Sequence, residues 1–167
     1  MSKNIRDYEF RSHPQEITYL NDEPLKLDKD FSFFHNKNKF RKELTRLQLI
    51  FKDYTDYTLL ASGIRDSYLK VEYSDKFLIV IFTTSQGIKD ANQIIYPHKD
   101  LHINPGCFYL ESTSNYMLLL AKDMEGLISG VDTIEDILRQ SFEEYFKQKK
   151  IDDYIKIKPF KLINCNK

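Results

Sequence analysis

Apolar residues recur at spacings of three and four in two long stretches, and this period predicts two helices that each bury one face. The first helix begins near Phe40, with Asn36 or Asn38 as its amino-terminal cap. Its apolar face is formed by Phe40, Leu44, Leu47, Phe51 and Tyr54. The second begins near Gly126 and buries Leu127, Val131, Ile134, Leu138, Phe142 and Tyr145.

Other stretches alternate apolar and polar residues or run continuously apolar, as strands do. "QEITYL" and "LKLDKDFSFF" predict two strands around the turn "NDEP", and "CFYLESTSNYMLLLAKD" predicts two more around a turn at Ser114 and Asn115. "YTLLAS", "YLKVEY" and "KFLIVIFTTS" are further strand candidates, and the unbroken run Phe77–Phe82 predicts a strand covered on both faces. "QGIKDANQIIY" predicts a short helix. "KIKPF" predicts a last extended segment, which Pro159 should keep out of a central position.

Strands and helices are interspersed along the chain, so the predicted fold class is α/β in the broad sense (α+β). We expect two layers: a mixed β-sheet and two long helices packed mainly on one of its faces. No repeat or Pro/Gly/Ser-rich linker divides the 167 residues, and residues 1–167 are therefore predicted to form a single domain.

Charge and hydropathy exclude two classes of partner. Lys plus Arg and Asp plus Glu are both 25, so no net charge attracts nucleic acid or an acidic membrane surface. The first residues lack the apolar core of a signal peptide, and no stretch approaches the roughly 20 apolar residues of a membrane helix. A cytoplasmic protein is expected.

The sequence has two cysteines, Cys107 and Cys165, which lie far apart along the chain. Reduced, inert thiols are therefore predicted, and Cys165 could pair between molecules on oxidation.

Candidate chemistry is sparse. Adjacent acids occur at Glu143 and Glu144 and at Asp152 and Asp153, in helix and turn settings that favour solvated surface over acid/base catalysis. Asp132, Glu135 and Asp136 suit the first turns of a helix. His98 and His102 are four residues apart, but Pro97 and Pro105 bracket them in a predicted loop. No "GxSxG", "GxxxxGK[ST]" or "GxGxxG" occurs, so no catalytic, cofactor-binding or metal-binding residue is predicted.

Two glycines four residues apart, Gly126 and Gly130, open the second helix, although a helix glycine costs roughly 1 kcal/mol relative to alanine. With the strands before them, they form the pattern "GCFYLESTSNYMLLLAKDMEGLISGVDTIEDIL". This pattern resembles the closing half of the small α/β domain that precedes the catalytic barrel in beta-N-acetylhexosaminidases, O-GlcNAcases and alpha-glucuronidases. The matching positions are Gly126, Gly130, Thr133 and Ile134. Ser129 stands where the family has an aromatic residue.

The amino-terminal stretch "SHPQEITYLNDEPLKL" resembles the family's opening strand, turn and second strand, with Pro14 retained. "IKIKPF" resembles the segment that leads into the first barrel strand. The resemblance implies that Gly130 lets the helix approach the sheet closely and that Gly126 provides the turn from strand to helix. The structural motif is therefore Pro14, Gly126, Gly130 and Thr133.

The acidic residues that cleave sugars in these families lie in the barrel. A barrel takes roughly 250 residues, and fewer than ten follow "KIKPF" here. The resemblance thus implies a non-catalytic accessory domain, free-standing or part of a longer enzyme, whose partner is a catalytic barrel domain or another protein subunit. Two alternatives stay open: a protein-interaction or self-associating domain that forms a homo-oligomer, and a small enzyme of unrecognised chemistry.

Overall fold

The structure is a computed structural model, and it describes eleven stretches of the chain. These are residues 8–10, 14–21, 23–27, 32–35, 41–55, 60–63, 77–82, 103–114, 116–121, 123–147 and 155–165. The predictions for "YLKVEY", for "QGIKDANQIIY", and for the caps Asn36 and Asn38 lie outside these residues.

Nine strands and two helices are assigned in the described part of the chain. The helices are α1 (Arg41–Thr55) and α2 (Met124–Lys147). The strands are β1 (Glu16–Tyr19), β2 (Leu25–Leu27), β3 (Ser32–His35), β4 (Leu60–Gly63), β5 (Phe77–Phe82), β6 (Cys107–Ser112), β7 (Tyr116–Ala121), β8 (Ile155–Ile157) and β9 (Phe160–Cys165). Helix α2 begins two residues before Gly126, so this glycine lies inside its first turn.

Seven strands form a mixed sheet in the order β1-β9-β6-β7-β5-β3-β4, and β2 and β8 form a separate antiparallel pair. Strands β3, β4, β5 and β7 pair in parallel, and β1, β9, β6 and β7 pair antiparallel. With the two helices on one face of this sheet, the predicted α+β fold class is confirmed.

Helix α2 packs on β6, β7 and β9, and α1 packs beside α2. Their apolar faces share one core with alternate residues of the strands, among them Phe108, Leu110 and Leu119. The intervening residues of β6 point to the opposite face, and they are buried as well. The sequence predicts a strand covered on both faces at Phe77–Phe82, and the side chains of these residues lie outside the described set.

Two predictions about strand pairing are wrong. "LKLDKDFSFF" is two strands in different sheets, and β1 pairs with β9 rather than with its neighbour in sequence. The carboxyl-terminal segment also continues past Pro159 as β9, an interior strand between β1 and β6. Pro159 is compatible with this position because it lies before the first residue of the strand, where no ladder hydrogen bond is lost.

Candidate functional site

Helix α2 starts at an aspartate that also holds a neighbouring loop. The Asp123 carboxylate accepts a hydrogen bond from the Gly126 backbone N–H at 2.9 Å, as an amino-terminal cap does. It also accepts one from the Gly106 N–H, with nitrogen–oxygen distances of 2.9 and 3.1 Å. Gly106 has a φ of 77°, which favours glycine. One carboxylate therefore joins the start of α2 to the loop before β6.

Gly126 and Gly130 both lie where the helix comes very close to the sheet. A Cβ added at Gly126 would overlap the Cys107 carbonyl oxygen and lie 2.9 Å from its carbonyl carbon. A Cβ at Gly130 would overlap one methyl group of Leu119 and lie 3.0 Å from the other. The obstacle is backbone at Gly126 but a side chain at Gly130. Gly126 is thus a point of close approach within the helix rather than a strand-to-helix turn.

The remaining two residues of the sequence motif, Thr133 and Pro14, are both buried. Thr133 is 4% exposed, and its hydroxyl donates to the Ser129 carbonyl at 3.1 Å, one turn back along α2. Pro14 is buried just before β1. Burial and the Thr133 hydrogen bond account for these two residues as parts of the fold.

An ion-pair cluster joins the two helices. Arg46 of α1 donates through Nη2 to Asp132 at 2.6 Å and through Nε to Glu135 at 3.1 Å. Burial alone would lower the pKa of Arg46, but the hydrogen bonds to Glu135 and Asp132 outweigh it and raise that pKa. The sequence predicts that Asp132 and Glu135 lie in the first turns of a helix. It does not predict their ion pairs with Arg46 on the other helix.

Two large apolar side chains are exposed beside this cluster. Leu49 is 52% exposed and lies three residues after Arg46 on α1, and Ile128 is 41% exposed and lies four residues before Asp132 on α2. Residues three or four apart share a face of a helix. We call Leu49, Ile128, Arg46, Asp132 and Glu135 together the helix-pair surface. It combines two exposed hydrophobic residues with fixed charges.

Aromatic residues hold the two helices together at the other end of α2. The Phe142 ring stacks on Tyr54 of α1 with centroids 4.7 Å apart, and it meets Phe51 edge-on at 5.2 Å. Stacked and edge-on pairs at these distances contribute beyond the area they bury. They fix the spacing of α1 and α2 away from the cap.

Tyr8 connects the amino-terminal segment to the carboxyl-terminal half of α2. Its hydroxyl accepts a hydrogen bond from the Lys158 backbone N–H at 2.9 Å and shares another with Ser141 at 3.4 Å. Burial raises the pKa of Tyr8 to about 12, against the opposing effect of these two hydrogen bonds. The Tyr8 side chain is therefore a neutral phenol in the core, and no pattern in the sequence predicted this position.

Gln140 fastens the residue next to Tyr8. Its side-chain oxygen accepts from the Glu9 N–H at 2.8 Å, and its side-chain nitrogen donates to the Glu9 carbonyl at 2.6 Å. The amide thus pairs with the backbone as a neighbouring strand would. Both partners lie at the surface.

The prediction of reduced thiols is wrong. Cys107 and Cys165 are 58 residues apart in sequence but form a disulfide. They face each other as partners in the register of β6 and β9. The sheet brings them together, and sequence separation alone could not reveal this because it depends on which strands pair.

The described residues contain no group of three or more His, Cys, Asp and Glu side chains that could hold a metal ion. His98, His102, Asp152 and Asp153 lie outside the described residues. Glu143 is exposed and Glu144 is partly buried on α2.

The buried carboxylate of Glu111, which the sequence analysis did not single out, accepts a hydrogen bond from the Tyr109 hydroxyl at 2.7 Å. No helix in the described residues is long and apolar enough to cross a membrane.

No family model matches the sequence, and no curated protein matches it either. Solved structures do match the fold. The exo-beta-N-acetylglucosaminidase of glycoside hydrolase family GH20 from Vibrio harveyi aligns over 98% of this chain and 20% of its own, with TM-score 0.57 and 11% identity. The Streptomyces plicatus N-acetyl-beta-hexosaminidase aligns over 89% and 24%, with TM-score 0.57 and 10% identity.

A protein of glycoside hydrolase family GH84, CpGH84D, aligns over 95% of this chain and 24% of its own, with TM-score 0.62 and 16% identity. The chain therefore shares its fold with one part of these proteins and spans about a fifth to a quarter of their length. Identities this low show similarity of fold.

Proposed function

We propose that this chain is a non-catalytic accessory domain that supports the catalytic barrel of a glycoside hydrolase, either within one longer enzyme or as a separate subunit. The observation that carries the proposal is the alignment of nearly the whole chain with a fraction of each hydrolase. Its position in the enzyme would be that of the domain before the barrel. The motif of Gly126 and Gly130 supports the same assignment from the sequence.

The helix-pair surface is the face we assign to the barrel. Leu49 and Ile128 are the large hydrophobic residues that stay exposed in the described part of the chain. On the same two helices, Arg46 is held by Asp132 and Glu135, so these charges are already paired and ordered. Because their side chains are already ordered, a partner can cover these charges with little further cost in side-chain entropy.

The first experiment separates an accessory domain from an enzyme. The purified chain is assayed on an aryl N-acetyl-beta-glucosaminide, and its mass in solution is measured by light scattering on a sizing column. We expect a monomer that does not hydrolyse the substrate. Hydrolysis traceable to this chain would overturn the proposal and favour a small enzyme. A stable dimer would favour the alternative of a self-associating domain.

The second experiment tests the partner. The tagged chain is incubated with extract of its own cells, and the captured fraction is assayed on the same substrate. We expect captured glycosidase activity. We expect the double variant Leu49→Glu/Ile128→Glu to capture at least about tenfold less activity, because each new carboxylate would be buried at the interface without an opposite charge to pair with. A matched variant, Lys42→Glu/Lys52→Glu, changes exposed residues of α1 and should retain it. If the two double variants captured equal glycosidase activity, the assignment of the helix-pair surface as the partner-binding face would be wrong.

The cytoplasmic location expected from the sequence stays a prediction. The redox state of Cys107 and Cys165 in the cell bears on it, because disulfides persist mainly in oxidising compartments.

A further inference from the structure

The disulfide lies at one end of a strand pair. Cys107 is the first residue of β6 and Cys165 the last of β9, and the opposite end of this pairing is Ser112 with Phe160. Strand β9 also pairs with β1, and the sheet order leaves β1 joined to the other strands through β9 alone among the described strands. The bond therefore fastens β9, and through it β1, to the centre of the sheet.

The two ends of β9 are held by different means. Phe160 is fully buried and packs edge-on against Tyr8 and Tyr19, with ring centroids 6.2 and 6.4 Å apart. Towards the other end, the residue that faces the core is the buried polar Asn164, and Ile163 and Cys165 on the opposite face are partly buried. A strand end with few buried apolar contacts opens more readily than one inside the core. The covalent bond is placed at the end where the core-facing residue is the polar Asn164 rather than the aromatic Phe160.

A small reductant can approach the disulfide from the surface. A shallow cavity beside it is lined by Gln15, Ile103 and Asn104 together with both cysteines. Cys165 is partly buried, whereas Cys107 is 7% exposed. Thiol–disulfide exchange depends on access to the attacked sulfur, and we take Cys165, the more exposed residue of the pair, as the one that a small thiol attacks.

We propose that Cys107 and Cys165 form a reversible redox staple that controls the order of the carboxyl-terminal end of β9. The staple closes when the Cys165 thiolate attacks glutathione disulfide and releases one glutathione. The Cys107 thiolate then attacks the Cys165 sulfur of the mixed disulfide and releases the second. Two protein thiols and one glutathione disulfide thus give one protein disulfide and two glutathione molecules.

The staple opens by the reverse exchange with a dithiol. The dithiol's thiolate attacks the Cys165 sulfur and displaces the Cys107 thiolate. The second thiol of the reductant then closes its own disulfide and releases Cys165. Opening loosens residues 161–165 and the β1 residues paired to them. The Asp123 cap and the aromatic contacts of Phe142 keep α2 in place because neither involves the disulfide.

The test uses the unaltered protein in two redox states. One sample is incubated with oxidised glutathione and the other with dithiothreitol, and both are denatured and alkylated with iodoacetamide. We expect no alkylated cysteine in the first sample and two in the second. Backbone amide exchange, followed by mass spectrometry, should be at least about tenfold faster for residues 161–165 after reduction and change less than about twofold in α2.

Three results would overturn the proposal. Full alkylation after oxidised glutathione would mean that the bond does not form. Equal exchange of residues 161–165 in the two states would mean that it does not order the strand. Faster exchange throughout α2 on reduction would mean that the bond stabilises the whole fold rather than one strand end. The variant Cys107→Ser/Cys165→Ser should match the reduced protein and should not respond to either reagent.

Discussion

Helix α2 contacts the sheet through backbone atoms at its amino-terminal end, whereas at its carboxyl-terminal end side chains join it to α1 and to the amino-terminal segment. At the first end, Gly126 leaves no space for a Cβ beside the Cys107 backbone, and Asp123 binds two backbone N–H groups. At the second end, Phe142 stacks on Tyr54 of α1, and Ser141 and Gln140 bind Tyr8 and Glu9 of the amino-terminal segment.

The two ends should therefore tolerate different changes. Backbone contacts cannot adjust to an added atom, because moving one backbone atom moves the strand to which it belongs. Side-chain contacts lose free energy gradually, since neighbouring groups or water can replace a deleted group. We expect the amino-terminal end to be sensitive to one methyl group and the carboxyl-terminal end to lose stability in smaller steps.

The largest effect is expected for Gly126→Ala. The new methyl group would overlap the Cys107 carbonyl, so the free energy of unfolding should fall by at least about 3 kcal/mol, measured by urea denaturation. Gly130→Ala is the matched control, because the Leu119 side chain can rotate away and alanine favours the helix by roughly 1 kcal/mol. Equal losses for the two variants would contradict the difference between backbone and side-chain obstacles.

Asp123→Ala should have the next largest effect, about 2 kcal/mol in urea denaturation. It removes the helix cap and leaves the Gly106 N–H without its acceptor. Asp123→Asn keeps an oxygen acceptor and should recover at least about half of the loss. A loss below about 0.5 kcal/mol for the alanine variant would show that the carboxylate does not join the loop to the helix.

Tyr8→Phe should cost about 1 kcal/mol at pH 8, since the Lys158 N–H loses its acceptor. This cost should shrink at high pH. The folded-state pKa of Tyr8 is raised to about 12, whereas an unfolded tyrosine titrates near 10. The wild type therefore loses stability as pH rises from about 10 to about 12, and the variant lacks this loss. A difference that stays constant between pH 8 and pH 11 in urea denaturation would contradict the buried neutral phenol.

Gln140→Ala should have the smallest effect, about 0.5 kcal/mol, because its contacts with Glu9 lie at the surface where water can replace them. Arg139→Ala, at the exposed neighbouring position, serves as the control for helix propensity. Amide exchange of residues 8–10 should nevertheless speed up in the glutamine variant alone. If Gln140→Ala lowered the free energy of unfolding as much as Asp123→Ala does, the proposed difference between the two ends of α2 would be wrong.

The local elements of this protein could be predicted from its sequence. Helices α1 and α2 follow from apolar residues at spacings of three and four, and β6 and β7 follow from a short turn between apolar runs, because these patterns are local. The spacing of Gly126 and Gly130 likewise marks the start of α2 in the sequence alone. The resemblance to the pre-barrel domain rests on that same local pattern.

The pairings between distant residues come from the tertiary structure and could not be predicted in this way. Strand β1 lies against β9, Cys107 against Cys165, and Arg46 against Asp132 and Glu135. Tyr8 and Ser141 are 133 residues apart in sequence and nevertheless share a hydrogen bond. Periodicity shows which face of an element is apolar, but it carries no information about which element that face meets. That choice depends on strand order and register, which are set by the packing of the whole chain.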